Sequence, residues 1–315
     1  MYKLLKPLAV AAIAGSMSFA TAAMADWAPD GPITFHVGFG AGGSTDALSR
    51  AIGQSIEEAE GWDVVVENLP GAGGVAMLSK LQAMDPDGLN IGIGVSIPVW
   101  IQLERRGDQL PFTLESFDWL ATIGRAGLAL LVSKGSPVKT MEELIELSKT
   151  EDVTVATAGP AQEIIVRALA KETGGQFVVV PVKSAGEMIQ NLLGGHVDAT
   201  TLGGAHVEYV QKGDMIVVAG MAPVRDGADP SVPTLMEMGY PLAIDAAFYI
   251  AAPAGLSDDA KTALSDAISA ALASPGVGES LVAMGMEGNN LGPDGTTKMM
   301  FDGQATTSSM IAASE

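Results

Sequence analysis

The stretch GFGAGGSTD, residues 38–46, follows the alternating apolar run ITFHV at residues 33–37. Leu48, Ile52 and Ile56 come after it at four-residue spacing, which is typical of a helix with one buried face. A strand, a glycine-rich turn and a helix are therefore predicted in that order. Because the first N–H groups of a helix have no partner within it, the turn is a candidate site for an anion.

The spacing of Gly38, Gly40 and Gly43 fits two kinds of anion site. It spells G-x-G-x-x-G, the dinucleotide-binding fingerprint, and Glu67 lies about where that pattern has its ribose-binding acid. On this interpretation the chain is an exported NAD-dependent oxidoreductase. Alternatively, the glycines let backbone N–H groups approach a carboxylate, and the hydroxyl of Ser44 lies beside them.

The start of the chain has the layout of a cleavable secretory signal. Lys3 and Lys6 form a short basic segment, an apolar run follows over residues 8–23, and Ala-Met-Ala at residues 23–25 matches an A-x-A cleavage site. The apolar run is shorter than the ~20 residues that a membrane span needs. Because the chain has no cysteine, it can carry neither a lipid-modified cysteine nor a disulfide. A soluble periplasmic protein is predicted, with the mature chain beginning at residue 26.

The charge of the chain limits its partners. The formal net charge is −20, and loss of the predicted signal removes two lysines and no acid, which makes it −22. A chain this acidic is not expected to bind nucleic acid. An anionic ligand would need a locally positive site, which helix N-termini supply without lysine or arginine.

Strand-like runs alternate with helical patterns along the mature chain. This alternation predicts an α/β fold with mainly parallel sheets flanked by helices, and about 290 mature residues suggest two domains. The runs cover residues 33–37, 64–66, 91–95, 128–132, 153–156, 177–180, 216–219 and 248–251.

An internal repeat indicates two similar halves. The segments VGFGAGGSTDALSR and VATAGPAQEIIVR share a strand, a small-residue turn, and an acid four residues before an arginine. Asp46 and Arg50 of the first segment would correspond to Glu163 and Arg167 of the second. Glu163 then has two interpretations: an acid of the first helical turn that pairs with Arg167, which the repeat favours, or a pocket carboxylate that selects an amino or hydroxyl group.

A second glycine-rich turn, residues 70–74, follows the run at 64–66 and opens another helix. Ligands of open α/β sheets bind beyond the carboxyl ends of the strands, so two such turns at neighbouring strand ends predict one site. The three histidines lack metal-ligand spacing, and neither a nucleophile elbow nor a P-loop occurs. A non-enzymatic chain without metal or cofactor is predicted.

A set of motifs, in this order along the chain, resembles the periplasmic receptors of tripartite tricarboxylate transporters, the Bug family. The motifs are HVGFGAGGSTDALSR, VVVENLPGAGGVA, DPDG, LLGGHVD and VPTLMEMGYP. The resemblance implies a two-lobed, periplasmic-binding-protein-like monomer that closes on a small organic acid and delivers it to membrane transporter subunits. It implies a signal peptide at 1–25, a first lobe at 26–124 and 249–315, and a second lobe at 125–248. A periplasmic sensing subunit for the same ligand would share these features.

The resemblance also implies the site. One ligand carboxylate would bind the first turn, and a loop of the second lobe would approach from the opposite side. The predicted first-turn residues are Phe39, Gly40, Ala41, Gly42, Gly43, Ser44, Thr45 and Asp46. Those of the second lobe are Ala158, Gly159, Pro160, Ala161, Gln162, Glu163, Lys183 and Ser184, and Gly71, Ala72, Ser96 and Phe248 complete the set.

The second loop departs from the family's pattern. Pro160 and Ala161 stand where small hydroxyl residues are usual, Glu163 stands at the position of a histidine, and Val182 stands at that of a tyrosine. The shortage of hydroxyls disfavours citrate-like ligands.

Overall fold

The computed structural model describes residues 27–182, 184–284 and 286–314. The predicted signal segment 1–25 and Lys183 lie outside the described residues. In the described part of the chain, no helix is long and apolar enough to cross a membrane.

The described residues form eleven strands and ten α-helices. The strands are β1 (Ile33–Val37), β2 (Val64–Asn68), β3 (Asn90–Val95), β4 (Phe117–Ala126), β5 (Ala129–Ser133), β6 (Val153–Thr157), β7 (Phe177–Pro181), β8 (Ala199–Leu202), β9 (Met215–Gly220), β10 (Ala246–Pro253) and β11 (Met286–Gly288). The helices are α1 (Ser44–Glu60), α2 (Val75–Leu81), α3 (Ser96–Arg106), α4 (Met141–Ser148), α5 (Pro160–Thr173), α6 (Ala185–Leu193), α7 (Val207–Gln211), α8 (Asp258–Leu272), α9 (Pro275–Ala283) and α10 (Gly292–Ser314).

The strands form two sheets, and helices flank both. The first sheet has the order β11-β4-β10-β3-β1-β2, and the second has the order β7-β6-β8-β5-β9. The α/β prediction is confirmed, but the sheets are mixed rather than mainly parallel. Strand β10 lies antiparallel between β3 and β4, and β5 lies antiparallel between β8 and β9. The reason is that β5 and β10 bring the chain into each sheet from the other one, against the direction of their neighbours.

The N-terminal strand and helix form as their sequence pattern predicts. Four of the five residues of β1 are buried, and α1 buries Leu48, Ile52 and Ile56 against the same core. Helix α1 ends at Gly61, which adopts φ +70° in the left-handed conformation common after helices. Burial of such an apolar stripe, about 1.5–3 kcal/mol per large side chain, holds α1 on the sheet.

The two sheets are held together by side-chain packing as well as by the segments of chain that connect them. One continuous apolar cluster includes Trp100 of α3, Ile164 of α5 and Met310 of α10. Helix α10 lies against α3 on one side and α5 on the other. Near its C-terminal end the ammonium of Lys171 lies 3.5 Å from the carbonyl oxygen of Ala312. The last helix therefore contacts elements that flank both sheets.

The chain passes between the sheets twice, once between β4 and β5 and once between β9 and β10. The predicted lobe boundaries at 124/125 and 248/249 fall inside β4 and β10, both of which belong to the first sheet. The exact division into lobes stays a prediction.

Candidate functional site

The first glycine turn leads from β1 into α1. Gly43 precedes the helix and provides no side-chain cap, and Gly42 adopts φ +80°. Among the described residues, no protein acceptor is found for the N–H groups of Ser44, Thr45 and Asp46. A Cβ placed on Gly42 would have no heavy atom within 4 Å, so this part of the turn faces open space. The turn offers three unpaired donors and the positive end of a 17-residue helix to an anion.

Asp46 fixes the shape of this turn and is not available to a ligand. One carboxylate oxygen accepts the Gly42 N–H at 2.9 Å and Arg50 Nε at 3.1 Å. The other accepts Arg50 Nη2 at 2.9 Å and Asn68 Nδ2 at 3.0 Å. The hydrogen bonds from Arg50 and from Gly42 lower the pKa of Asp46 to about 2. Asn68 also donates to the carbonyl oxygen of Phe39, which ties the turn to the end of β2.

The two glycine turns touch, as their positions at neighbouring strand ends predict. A Cβ on Gly38 would lie 2.7 Å from Gly74 Cα, so the close approach of the two backbones requires glycine. In the second turn Ala72 has a positive φ of +46°, which is uncommon for a residue with a side chain. Gly73 lies against Pro98, where a Cβ would approach the proline Cβ to 2.3 Å. The second turn, which contains Gly71 and Ala72, thus packs against the side of the first turn.

The corresponding turn of the second lobe leads from β6 into α5. Gly159 precedes the helix without a side-chain cap and Pro160 is its first residue. Gln162 Oε1 accepts the Ala158 N–H at 2.7 Å, and Gln162 Nε2 donates to the carbonyl oxygen of Thr201 at 3.3 Å. Because Pro160 has no N–H, this turn offers fewer donors than the first.

The structure corrects the predicted alignment of the two halves. Asp46 and Gln162 are each the third residue of their helix, and each accepts the N–H of the residue four positions earlier. Asp46 therefore matches Gln162 and not Glu163. Among the described ion pairs none joins Glu163 to Arg167, so the predicted pairing of this acid is wrong. The alignment follows from where each helix begins. Asp46 is the third residue of α1, whereas Glu163 is the fourth residue of α5.

A cavity of about 520 Å³ lies between the two sheets and includes the start of α5. Its walls come from the end of β3, the start of α3, the α5 turn, the start of α6 and the segments beside β5, β8 and β10. The lining residues are Val95, Ile97, Pro98, Gly127, Leu128, Ala158, Gly159, Pro160, Ala161, Gln162, Ser184, Ala185, Met188, Leu202, Gly203, Ile244 and Ala246. The structure thus brings most of the predicted second-lobe residues to one cavity. The first turn does not line this cavity; it packs against the second glycine turn, whose Gly73 contacts the lining residue Pro98.

Two predicted site residues have structural roles. Ser96 is fully buried, and its hydroxyl donates to the carbonyl oxygen of Asp245 at 2.6 Å and accepts the Ala247 N–H at 3.2 Å. Phe248 is buried in the core of the first sheet. Ser184 lines the cavity and also caps α6, because its hydroxyl accepts the Glu187 N–H.

Sequence reasoning missed the segments that fix the connection between the sheets. Arg125 and Asp245 form an ion pair at 3.2 Å where β4 ends and β10 begins. Burial raises the pKa of Asp245, and the charge of Arg125 opposes that rise. Beside Gly127, the buried carboxylate of Asp226 lies 2.8 Å from His206 Nε2. These partners lie 20 and 120 positions apart in sequence, and no local pattern indicates them.

The dinucleotide interpretation is not favoured. The carboxylate of Glu67 lies 3.2 Å from Nδ1 of His36 on the adjacent strand β1. It lies in a strand that leads into another glycine turn, and this arrangement does not follow the dinucleotide pattern. Among the described residues no group of three or more His, Cys, Asp or Glu side chains could hold a metal ion.

Two α/β sheets joined by two crossings, with a cavity between them and uncapped helix N-termini at strand ends, define a two-lobed solute receptor of the periplasmic-binding type. The chain belongs to the tripartite tricarboxylate transporter family receptors, whose family model matches residues 48–315. It is 31% identical over 290 residues to a UPF0065 protein of the gbd 5′ region of Cupriavidus necator, with 89% of this chain and 86% of that protein covered. It is 28% identical over 303 residues to the protein BugT of Bordetella pertussis, with 94% and 91% covered.

Solved structures share the fold. A TctC solute-binding protein from Polaromonas superimposes with a TM-score of 0.84 at 24% identity, over 90% of this chain and 99% of that one. MatC from Rhodopseudomonas palustris with bound malate gives 0.63 at 24% identity, over 91% and 100%. A second R. palustris protein with adipate gives 0.66 at 23% identity, over 92% and 98%. These likenesses confirm the two-lobed fold.

Proposed function

We propose that this chain is the periplasmic receptor of a tripartite tricarboxylate-type transporter and captures a small organic carboxylate. The observation that carries the proposal is the α1 turn, where three N–H groups have no acceptor among the described residues and lie at the positive end of a helix, beside the open space at Gly42. Membership of the receptor family and the malate and adipate bound by two structural neighbours support it.

In this proposal the ligand carboxylate docks on residues 40–45. Backbone N–H groups donate to it, and the hydroxyl of Ser44 lies within the same turn. Asp46 contributes as a positioning residue, because its bonds to Gly42, Arg50 and Asn68 hold the turn open for the anion. A pre-shaped set of donors avoids the cost of ordering a flexible glycine loop on binding.

The second lobe then contributes the rest of the site. The α5 turn and Ser184 approach the ligand from the opposite wall, and these contacts favour the closed arrangement of the lobes. The ligand shifts the equilibrium only as far as it prefers the closed form. The movement would be centred on the two segments that join the sheets, beside the Arg125–Asp245 ion pair.

The cellular role follows from the same proposal. The segment 1–25 acts as a cleavable export signal, the mature chain is a monomer, and the closed receptor docks on membrane subunits of the transporter. Deleting 1–25 should leave a soluble monomer in size-exclusion chromatography. Persistent membrane association of that variant would contradict export by a cleavable signal.

A thermal-shift screen of residues 26–315 tests the ligand class. The panel holds organic acids of different size and charge, with NAD and NADP as controls in the same plate. A ligand that binds only the folded state at a hundredfold excess over its Kd stabilises it by about 2.7 kcal/mol and raises Tm by roughly 5 °C. A shift with carboxylates alone supports the receptor. A shift with nucleotides alone would overturn it in favour of the dinucleotide site.

A further inference from the structure

We infer, on the basis of the proposed receptor function, that the ligand is a monocarboxylate with an apolar body and not a di- or tricarboxylate. The inference rests on the composition of the inter-lobe cavity and on the amount of positive charge around it. Both are properties of the cavity and not of the α1 turn.

The walls of the cavity are apolar. Of its seventeen lining residues, only Gln162 and Ser184 carry polar side chains, and none of these described residues is charged. Its large apolar side chains, which include Met188, Leu202 and Ile244, are buried in the wall. A volume of about 520 Å³ lies within the range of sites for organic ligands and has room for more than an acid of two or three carbons.

The two polar side chains are already in use. Gln162 spends its amide oxygen on the Ala158 N–H and one amide hydrogen on the carbonyl of Thr201. The hydroxyl of Ser184 accepts the N–H of Glu187, which leaves it one hydrogen to donate. A second carboxylate has about four lone-pair sites to satisfy, and an unpaired buried carboxylate is costly.

The positive charge beside the cavity comes from helix N-termini, because no described residue that lines it is charged. The helix starts that line the cavity are those of α3, α5 and α6, and each N-terminus acts as roughly +0.5 elementary charge. Among the described charged groups of the two turns, Asp46 and Arg50 neutralise one another, and Glu163 lies half-buried in the first turn of α5. A dianion would therefore place its second carboxylate beside apolar walls, with no charged side chain among the described lining residues, in a protein of net charge −20.

Matched acids test the inference. We would measure the Kd of residues 26–315 by calorimetry for hexanoate against adipate, octanoate against suberate, and benzoate against terephthalate. Each pair differs only in a second carboxylate. The expected result is that at least one monocarboxylate binds at least tenfold more tightly than its partner. Hexanol should not bind, because the carboxylate is the anchor.

Two variants at one position test whether the lack of positive charge in the cavity wall disfavours dicarboxylates. Ala185 lines the cavity at the first turn of α6 and is half-buried, so a longer side chain there can reach the cavity without displacing the core. Ala185→Lys should narrow the difference between hexanoate and adipate by about tenfold, and Ala185→Gln, of similar length and no charge, should leave it unchanged. Circular dichroism and Tm of both variants verify folding.

The outcomes separate this inference from the proposed function. If carboxylates bind but no monocarboxylate binds at least tenfold more tightly than its dicarboxylate partner, the inference is overturned and the receptor function stands. That outcome would also implicate Lys183, and the Lys183→Met variant would then lose the dicarboxylate. If only malate, citrate or similar polar acids bind, the inference is likewise overturned. If no carboxylate binds, the proposed function fails and the inference fails with it.

Discussion

The turns before α1 and α5 are held by the same hydrogen bond, but its acceptor is charged in the first turn and neutral in the second. In each turn the third residue of the helix accepts the N–H of the residue four positions earlier, which pins the loop to the helix that follows. In the first turn the acceptor is the carboxylate of Asp46, neutralised by Arg50. In the second turn it is the neutral amide of Gln162, held by the carbonyl of Thr201.

The difference divides the work of binding between the lobes. The first turn is rich in glycine, keeps three unpaired N–H groups and is anchored to the neighbouring strand through Asn68. The second turn carries Pro160 and lies in an apolar wall. One lobe is thus suited to hold a carboxylate and the other to cover the body of the ligand. Substitutions at equivalent positions of the two turns should therefore have unequal effects.

Substitution of the residue before each helix should give the largest difference in ligand affinity between the two turns. Gly43→Val should weaken carboxylate binding by about a hundredfold or more, because the isopropyl group blocks access to donors that bond a charged group. Folding should survive, since Gly43 has an ordinary φ of −82°. An added Cβ would lie 3.3 Å from the carbonyl oxygen of Gly40, so that carbonyl must shift by a few tenths of an ångström. The measurement is calorimetric titration with the best acid of the panel, with circular dichroism as the folding control.

The matched variant is Gly159→Val, which has open space around its Cβ position. It should cost about tenfold or less, because the second turn contributes fewer hydrogen bonds to the anion. Equal losses in the two variants would contradict the division of work between the lobes.

The side chains of Asp46 and Gln162, which each accept the N–H four positions earlier, act as clamps on the two turns. Removing either clamp should lower stability. Asp46→Ala leaves the Gly42 N–H and the Asn68 amide without their acceptor and should lower the free energy of unfolding by about 1–3 kcal/mol. Gln162→Ala removes a neutral bond and should cost about 1 kcal/mol. Urea denaturation of both variants measures the difference. If Gln162→Ala is the more destabilising of the two, the charged clamp is not the stronger one.

Acid titration isolates the charge of the first clamp. The pKa of Asp46 is lowered to about 2 from an ordinary value of 3.8, so its folded form favours the ionised carboxylate. The stability that this provides is present above about pH 4 and is lost as the pH falls towards 2. The stability of the wild type should therefore fall more steeply than that of Asp46→Asn over this range, and the two curves should run parallel between pH 5 and 8. Denaturation as a function of pH gives both slopes, and identical slopes below pH 4 would exclude the clamp as their origin.

Much of this comparison could be predicted from sequence, because its elements are local. The apolar spacing after Gly43 predicted α1, and the glycines predicted a turn with free N–H groups. Contacts between distant segments could not be predicted in this way. Ser96 was expected in the site, but its hydroxyl bonds to groups 149 and 151 positions away and is fully buried.

Three strands were also missed, for related reasons. Strand β8 has the sequence ATTL, whose two threonines are buried only because β5 and β6 lie on both sides. Strand β11 has three residues, and β4 mixes charged, aromatic and glycine residues without alternation. In each case the partner strands, and not the local pattern, make the segment a strand.

Glu163 gives the smallest expected effect and decides how far the two turns correspond. It stands one position after Gln162, half-buried, and the described ion pairs do not include it. Since Gln162 already occupies the clamping position, Glu163→Gln should change stability by less than about 0.5 kcal/mol and affinity by less than about twofold. Removing a negative charge from the α5 turn should, if anything, strengthen binding of a carboxylate, because the helix end becomes more positive. A tenfold loss of affinity would instead make Glu163 a pocket residue that accepts a hydrogen bond from the ligand, and the second lobe would then select a polar group rather than an apolar body.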